Sequence, residues 1–424
     1  MSIPGAAWLA TVASALWIPG YAGAHSGSAV IALHLALTAW MFYFWRCSLE
    51  GRLSLPTLIA LGVVARLLLI PVAPFTTHDV ERYLWDGAVV VAGVDPYVVA
   101  PDDAQVAWLR AVWATPEEHA AYPTLYPPLA LVGFAVSALA GPAAGIWLWK
   151  FLSALASVGV LLLMIPLAAQ IGQQRHLPLL AMSPLMLLEA GIGAHVDVWA
   201  TLAVTAALWA IVTARWRWAG VAIACGAAIK LLPVLLLGPL VSVLSWRQAR
   251  RVVVAMGLTL GAIYGSALAL GFRPLGSLPV FFEKWRFGSP LYDVFAFLEI
   301  DAALPLFAIG LLFLACWWAR RDLFLGLALA LAVPLVVSPV VFPWYLLPLV
   351  PLLVLRPTLV GLVWVTLVAV TYEVLDAYNA SGVWDPAAWP LWVMGLGVLG
   401  ALAATPLRDH RLARELSPAE IDPA

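Results

Sequence analysis

Long apolar segments follow one another through almost the whole of this 424-residue chain and leave little room for charge. Apolar residues make up 64% of the sequence and charged residues 11%, whereas soluble globular chains carry about 25% charged residues. This composition excludes an ordinary soluble enzyme, a disordered chain and a basic nucleic-acid-binding protein. Because backbone polar groups in lipid must be hydrogen-bonded within the protein, the segments predict an all-α polytopic membrane protein.

Two polar insertions interrupt the apolar segments, at residues 75–127 and 272–302. We therefore expect one multi-pass membrane domain over residues 1–404, with outer loops at 75–127 and 272–302, and a cytoplasmic tail at 405–424. The remaining residues allow about 13 crossings, within a range of roughly 11 to 14. The candidate spans are 6–24, 29–47, 56–74, 177–191, 197–214, 218–230, 231–244, 252–271, 303–319, 323–341, 345–355, 358–375 and 389–405.

The orientation of the chain follows from its arginines. Short arginine clusters occupy turns between the predicted spans and the tail: Arg46 and Arg52, Arg175, Arg215 and Arg217, Arg247, Arg250 and Arg251, Arg320 and Arg321, Arg356, and Arg408, Arg411 and Arg414. The positive-inside rule places these clusters and both termini in the cytoplasm, and both polar insertions on the outer face of the cell (inner) membrane. Between them, residues 127–171 are expected to form a short helix after Pro128, a break near Gly141, and a span up to Gln170.

The first polar insertion opens with the run HDVERYLWDG at residues 78–87. Asp79, Arg82, Tyr83 and Asp86 are three or four residues apart, so they can share one face of a short helix at the membrane surface. A partly desolvated carboxylate there can remove a proton from an acceptor hydroxyl. The alternative is that Thr77 or Asp79 caps a surface helix and Asp86 is solvated.

A second group of polar residues consists of Glu189, His195 and Asp197, which follow an apolar run and flank two glycines. His195 and Asp197 are candidates for contact with the phosphate or the sugar of a substrate. Alternatively, they stabilise the start of the next helix, or all three bind a divalent metal. Lys230 divides two short apolar segments and is a candidate phosphate ligand, with snorkelling to the membrane surface as the alternative.

Five further residues are of interest. Lys284 and Arg286 lie among aromatic residues of the second insertion, a pattern typical of a lid that binds lipid phosphate or sugar, but also of an interfacial helix. Tyr345 is a candidate donor contact or a membrane-belt aromatic. Arg66, inside a predicted span, is expected to pair with Asp79, with Glu189 or with a carbonyl group. Lys150 is expected to snorkel.

The order of the first span, HDVERYLWDG, GVDPYVVAPDD and TLYPP resembles the first outer loop of bacterial GT-C-type glycosyltransferases. These are related to the polyprenyl-phosphate-mannose-dependent family-87 enzymes, and the chain is distantly similar to the catalytic subunit of GPI mannosyltransferase I. The resemblance implies a GT-C fold, a polyprenyl-phosphate sugar donor, transfer on the outer face, and Asp79 as the catalytic base. Many relatives carry a second acid in this loop, and Glu81 stands in its place here.

The leading hypothesis is an inverting membrane glycosyltransferase that moves a hexose, with mannose favoured, from a polyprenyl-phosphate donor to a glycolipid or glycan acceptor of the cell envelope. Asp79 would take the proton of the acceptor, with Glu81, Arg82 and Asp86 beside it. Lys230 would stabilise the leaving phosphate together with Lys284, Arg286 or His195. No cofactor is expected, and no nucleotide-binding motif is present. The alternatives are a transporter or flippase of a lipid-linked sugar and an inactive scaffold.

Overall fold

The computed structural model of the protein describes residues 3–21, 25–116 and 119–415. The α-helices are Ile3–Ala13, Ile18–Tyr21, Ser26–Leu49, Leu55–Leu68, Asp79–Val91, Ala107–Arg110, Pro128–Ala138, Pro142–Gln170, Pro178–Ala181, Pro184–Gly191, Asp197–Val212, Trp216–Ile229, Leu237–Val243, Trp246–Ala269, Leu278–Lys284, Pro290–Phe297, Leu304–Ala319, Leu323–Val337, Val350–Leu355, Leu359–Leu367, Val374–Ser381 and Trp389–Glu415. The 3-10 helices are Ser14–Leu16, Ala104–Val106, Gln174–His176, Leu232–Leu236, Asp301–Ala303, Pro343–Leu349 and Val368–Glu373.

The predicted fold class is confirmed: the chain is an all-α polytopic membrane protein. Within the described ranges, five helical segments are long and apolar enough to cross a bilayer, namely Ser26–Leu49, Pro142–Gln170, Trp246–Ala269, Asp301–Ala319 and Leu359–Ser381. Nine further apolar helical segments have 10–17 residues. The number of crossings stays a prediction. The expected helix after Pro128, the break at Gly141 and the long helix ending at Gln170 are all present.

The first predicted span is broken at a proline, and the last one is longer than predicted. In the predicted span 6–24, the described residues 6–21 do not form one helix, because Pro19 lacks the N–H group that would continue the helix from Ser14–Leu16 into Ile18–Tyr21. The last helix, in contrast, extends past the predicted end at residue 405 to Glu415. Residues 416–424 of the predicted tail lie outside the described residues.

The predicted span 177–191 lies in the centre of the bundle. Every residue from 177 to 198 is buried, and the segment forms the two short helices Pro178–Ala181 and Pro184–Gly191. Longer helices, including Ser26–Leu49 and Pro142–Gln170, pack around it. This central position explains why the span is so short, since a helix enclosed by protein need not match the thickness of the bilayer.

The first outer loop, named for its predicted orientation, is attached to the bundle by a close helix contact at Gly87. The helix Asp79–Val91 packs against the helix Pro128–Ala138. A Cβ atom built on Gly87 would lie 2.3 Å from the carbonyl oxygen of Phe134. Tyr83, one turn earlier on the same helix, stacks on the ring of Phe134 at 4.5 Å between centroids. Glycine is therefore required where the two backbones meet.

We predict that Gly87→Ala destabilises the protein by about 1–3 kcal/mol, because the added methyl group overpacks this contact. The measurement is the midpoint of thermal unfolding in detergent. The matched control is Gly257→Ala, at a helical glycine with open space around its Cβ position. Alanine there should be neutral or slightly stabilising, given its higher helix propensity. Equal midpoints for the two variants would contradict the predicted contact.

The two outer loops are bonded to each other. Ser277 donates its backbone N–H to Thr124 O at 3.2 Å and its hydroxyl to Pro123 O at 2.7 Å. Further along, Phe287 exchanges backbone hydrogen bonds with the segment around Val340: its N–H reaches Pro339 O at 2.9 Å and its carbonyl accepts from Val341 at 2.7 Å. The second outer loop therefore contacts the first loop on one side and residues 339–341 on the other.

Candidate active site

A cavity of about 440 Å³ lies between the two outer loops and the bundle. Asp79, Lys230, Asp197 and Tyr345 all line it, although they come from four separate segments of the chain. The wall beside them is apolar and includes Leu231, Leu232, Val234, Leu235, Leu278, Phe281, Phe282 and Leu335. The cavity thus combines a small group of charged residues with a surface suited to hydrocarbon.

Asp79 stands at the start of the first outer helix, where the sequence places it. Its Oδ2 atom accepts a hydrogen bond from the Tyr83 hydroxyl at 3.3 Å and lies 3.2 Å from Nδ1 of His195. Burial raises the pKa of Asp79, but the hydrogen bond to His195 and the charges of His195, His119 and Lys230 outweigh burial, so the pKa lies below its ordinary value. The side chain is 25% exposed. Asp79 is therefore an ionised carboxylate that a ligand can reach.

The capping alternative holds for Thr77, at the start of this helix, but not for Asp79. Thr77 accepts the N–H of Asp79 at 3.1 Å, but the Asp79 side chain bonds to Tyr83 and His195 instead of capping the backbone. Asp86 is buried and not solvated.

Arg82 and Asp86 form a buried ion pair behind the cavity wall. Nε of Arg82 donates to Asp86 at 2.9 Å, and its other nitrogens donate to the carbonyl groups of His119 and Tyr122. The second oxygen of Asp86 accepts from Thr124 at 2.5 Å. Burial raises the pKa of Asp86, although Arg82 and Thr124 oppose this effect. Arg82 also lines the cavity. The pair connects the first outer helix to residues 119–124 of the same loop.

Lys230 pairs with Asp197 inside the cavity. Its Nζ atom donates to Oδ1 of Asp197 at 2.5 Å and lies 3.7 Å from the centre of the Tyr345 ring. The lysine stands at the end of the helix Trp216–Ile229, just before the 3-10 helix Leu232–Leu236. It points into the cavity and contacts a carboxylate and an aromatic face, so simple snorkelling does not describe its position.

His195 lies behind Asp79 and does not line the cavity. Its side chain is fully buried and stacks on Trp344 at 3.7 Å between ring centroids. The turn that carries it contains Ala194 in the left-handed region (φ 48°), whose carbonyl accepts from the indole of Trp149 at 2.7 Å. On the far side, Nε2 of His195 is 3.5 Å from Oε2 of Glu189. The position of His195 fits contact with Asp79 better than direct contact with a substrate.

Three other candidates lie outside the wall of this cavity. Glu81 is exposed and lines a smaller neighbouring depression that shares Asp79 with the main cavity. Lys284 donates to the hydroxyl of Tyr122 at 3.0 Å at the rim of the cavity. Arg286 is exposed and donates to the carbonyl groups of Phe282 and Trp285. Their roles in binding stay predictions.

The prediction that Lys150 snorkels is wrong. Its side chain is buried, and its ammonium group donates to the carbonyl groups of Gly191 and Ile192, which belong to the turn that carries His195. The partners of Lys150 are some 40 residues away in sequence, and local spacing gives no signal for them. Arg66 likewise bonds to carbonyl groups and to Ser157, which confirms the carbonyl alternative for that residue.

Two hydroxyl groups contact the carboxylates, and the sequence points to one of them. Tyr83 donates to Asp79 four residues earlier, the helical spacing that the sequence places on one face. Tyr372 donates to both oxygens of Glu189 at 2.7 and 2.8 Å, a contact across 183 residues that sequence alone does not suggest. Within the described ranges, no group of three or more His, Cys, Asp or Glu residues is arranged to hold a metal ion.

Comparison with known proteins gives one match. A family model described as alpha-(1->6)-mannopyranosyltransferase, N-terminal domain (MptA_B family), matches residues 4–247. This range exceeds half of the chain, contains Asp79, His195, Asp197 and Lys230, and ends before the second outer loop. No curated protein and no solved structure matches the chain.

Proposed function

The chain belongs to the alpha-(1->6)-mannopyranosyltransferase family, and we propose that it transfers mannose from a polyprenyl-phosphate donor to a glycolipid or glycan acceptor of the cell envelope. Membership makes the protein a glycosyltransferase that uses a sugar donor and an acceptor. The family match also favours transfer over the transport and scaffold alternatives. The donor class, the acceptor and the stereochemistry are our proposals.

The observation that carries the proposal is the shared cavity of Asp79 and Lys230. A lipid-linked sugar phosphate needs a cation for the phosphate, a base for the incoming hydroxyl, and an apolar surface for the isoprenoid chain. Lys230, Asp79 and the leucine-rich wall offer these three in one place. The apolar side chains of the cavity wall favour a donor with a lipid chain, which stays in the bilayer, over a soluble nucleotide sugar.

In the proposed reaction, Asp79 takes the proton of the acceptor hydroxyl while the hydroxyl oxygen attacks C1 of mannose. The bond between C1 and the phosphate oxygen breaks, and the lipid phosphate leaves as an anion stabilised by Lys230. A single displacement inverts the configuration at C1. If the product is α-(1→6)-linked, as the family description states, the donor carries a β-linked mannose and the acceptor offers a 6-hydroxyl.

The position of the cavity supports a reaction on the outer face. The helix Ser26–Leu49 starts beside Asn379, which lines the cavity and bonds to Ser26. Its 24 residues extend for about 36 Å and end at Arg46 and the turn to Arg52, which the positive-inside rule places in the cytoplasm. The cavity and this arginine cluster are therefore at opposite ends of a membrane-length helix.

The test is transfer by purified protein in detergent micelles, where no second compartment exists. Labelled mannose is supplied either on a polyprenyl phosphate or on guanosine diphosphate, with a short α-mannoside as acceptor. We expect transfer from the lipid donor alone and an α-(1→6) linkage in the product by NMR. Transfer from the nucleotide sugar, or retention of the donor configuration, would contradict the proposal.

A further inference from the structure

A row of buried side chains leads from Asp79 into the centre of the bundle. His195 stands between two carboxylates: Nδ1 is 3.2 Å from Oδ2 of Asp79, and Nε2 is 3.5 Å from Oε2 of Glu189. Glu189 in turn accepts two contacts from the hydroxyl of Tyr372. The His195 and Glu189 side chains are 0% and 1% exposed, so neither exchanges its partners for water.

This arrangement is energetically unfavourable unless the His195 ring is positively charged. A neutral imidazole has one N–H group and can satisfy only one of two flanking carboxylates, whereas the protonated ring donates from both nitrogens. Nε2 of His195 makes no hydrogen bond within the described part of the chain, yet it is directed at Glu189. A buried carboxylate is costly unless a cation faces it. Protonation of His195 compensates both acids at once.

The surroundings hold the ring in this position. Trp344 stacks on one face, with ring planes 10° apart. A Cβ atom on Gly193 would lie 2.5 Å from the ring, which shows how closely the backbone approaches it. The turn is bonded to Trp149 and Lys150 of the long helix Pro142–Gln170. The ring therefore stays in line with both acids.

We propose that Glu189 and His195 are positioning residues for Asp79: Glu189 holds the positive charge on His195, and His195 keeps the Asp79 carboxylate ionised and oriented for the acceptor. This inference rests on the proposed function, in which Asp79 is the base. It assigns no contact with substrate to either residue, because neither lines the cavity.

Other charged and titratable groups face this row from the surrounding helices. They are Tyr83 and His119 in the first outer loop, Asp197, Lys230, Tyr345, and Tyr372. Asp197 is paired with Lys230, so the two largely compensate each other. Glu189 is the carboxylate placed on the far side of the His195 ring from Asp79. Replacement of Glu189 is therefore expected to change the charge of the His195 ring more than replacement of Tyr83, His119, Asp197, Lys230, Tyr345 or Tyr372.

The experiment is the pH dependence of mannosyl transfer by Glu189→Gln. The ionised form of Asp79 is the active one, so the rate falls on the acid side as pH drops through its pKa. Without Glu189 the His195 ring loses the carboxylate that faces its second nitrogen, so less positive charge faces Asp79 and the pKa of Asp79 rises. We expect the acid limb of kcat/KM to move upward by about one pH unit or more, with the rate recovering at higher pH. A purely structural role would lower the rate equally at every pH.

Two further variants make the outcome decisive. His195→Phe keeps an aromatic ring on Trp344 but removes the charge and the hydrogen bond, and we expect it to lose at least about 100-fold in kcat. Glu189→Asp keeps the carboxylate but moves it one methylene away from His195. The acid limb of kcat/KM should therefore move upward by less than in Glu189→Gln. Glu189→Asp replaces Glu189→Gln if that protein is recovered only as aggregate. Asp322→Asn, an acid paired with Arg356 away from the cavity, is the matched control.

An unshifted acid limb in the Glu189 variant, or wild-type activity in His195→Phe, would overturn the inference. Its failure can be separated from failure of the proposed function. If Asp79→Asn is inactive while Glu189→Gln keeps the wild-type pH profile, Asp79 is still the base and only the positioning role is lost. If Asp79→Asn is active, the proposed mechanism itself is wrong.

Discussion

Asp79→Asn is expected to lower mannosyl transfer by about 1,000-fold, within the range that general bases contribute. The carboxamide is nearly isosteric with the carboxylate, and its oxygen can still accept from Tyr83 and from His195 at the places where Oδ2 does now. The helix and the cavity should therefore persist, while the group that takes the proton is lost. The measurement is the initial rate of transfer from the labelled lipid donor, with KM for the donor determined in parallel.

The control for this variant is Asp103→Asn in the same outer loop. Asp103 is exposed and caps a short 3-10 helix by accepting the N–H of Gln105, which asparagine also does. Its activity and thermal midpoint should equal those of the wild type. An Asp79→Asn protein with a normal rate would remove Asp79 from the mechanism. An unchanged KM together with a lost kcat would place its contribution in the transition state.

The chemistry of the first outer helix could be predicted because its contacts are local. Arg82 bonds to Asp86, and Tyr83 to Asp79, each across four residues, which is the distance that a helix brings together. The break at Gly141 is also local, since its positive φ and the following proline end one helix and begin another. In these cases the sequence contains both partners within one turn.

The rest of the site depends on contacts that local patterns do not encode. His195 meets Asp79 across 116 residues, and Lys150 meets the turn before His195 across 41. From sequence, Lys150 beside two tryptophans has the pattern of an interfacial lysine. Only the folded chain brings the carbonyl groups of a buried turn to its ammonium group. The family resemblance suggested which regions take part in the site. It did not suggest that His195 lies behind Asp79.

Lys230→Met is the second change with a large expected effect, and it acts on stability and activity together. Removing the ammonium leaves the Asp197 carboxylate, 1% exposed, without its cation. Breaking a buried pair on one side costs about 3–5 kcal/mol. We therefore expect a lower thermal midpoint in detergent. We also expect transfer to fall by about 100- to 1,000-fold, because the leaving phosphate loses the ammonium group that is proposed to stabilise it.

The double variant Lys230→Met/Asp197→Asn separates these two effects. A neutral amide at position 197 no longer needs a cation, so most of the lost stability should return. Activity should not return, because the phosphate still lacks its cation, and the proper reference for the double variant is Asp197→Asn alone. If the double variant is as active as that reference, Lys230 serves only to neutralise Asp197. The cation for the lipid phosphate would then be a different one, such as Arg82 in the cavity wall or Lys284 at its rim.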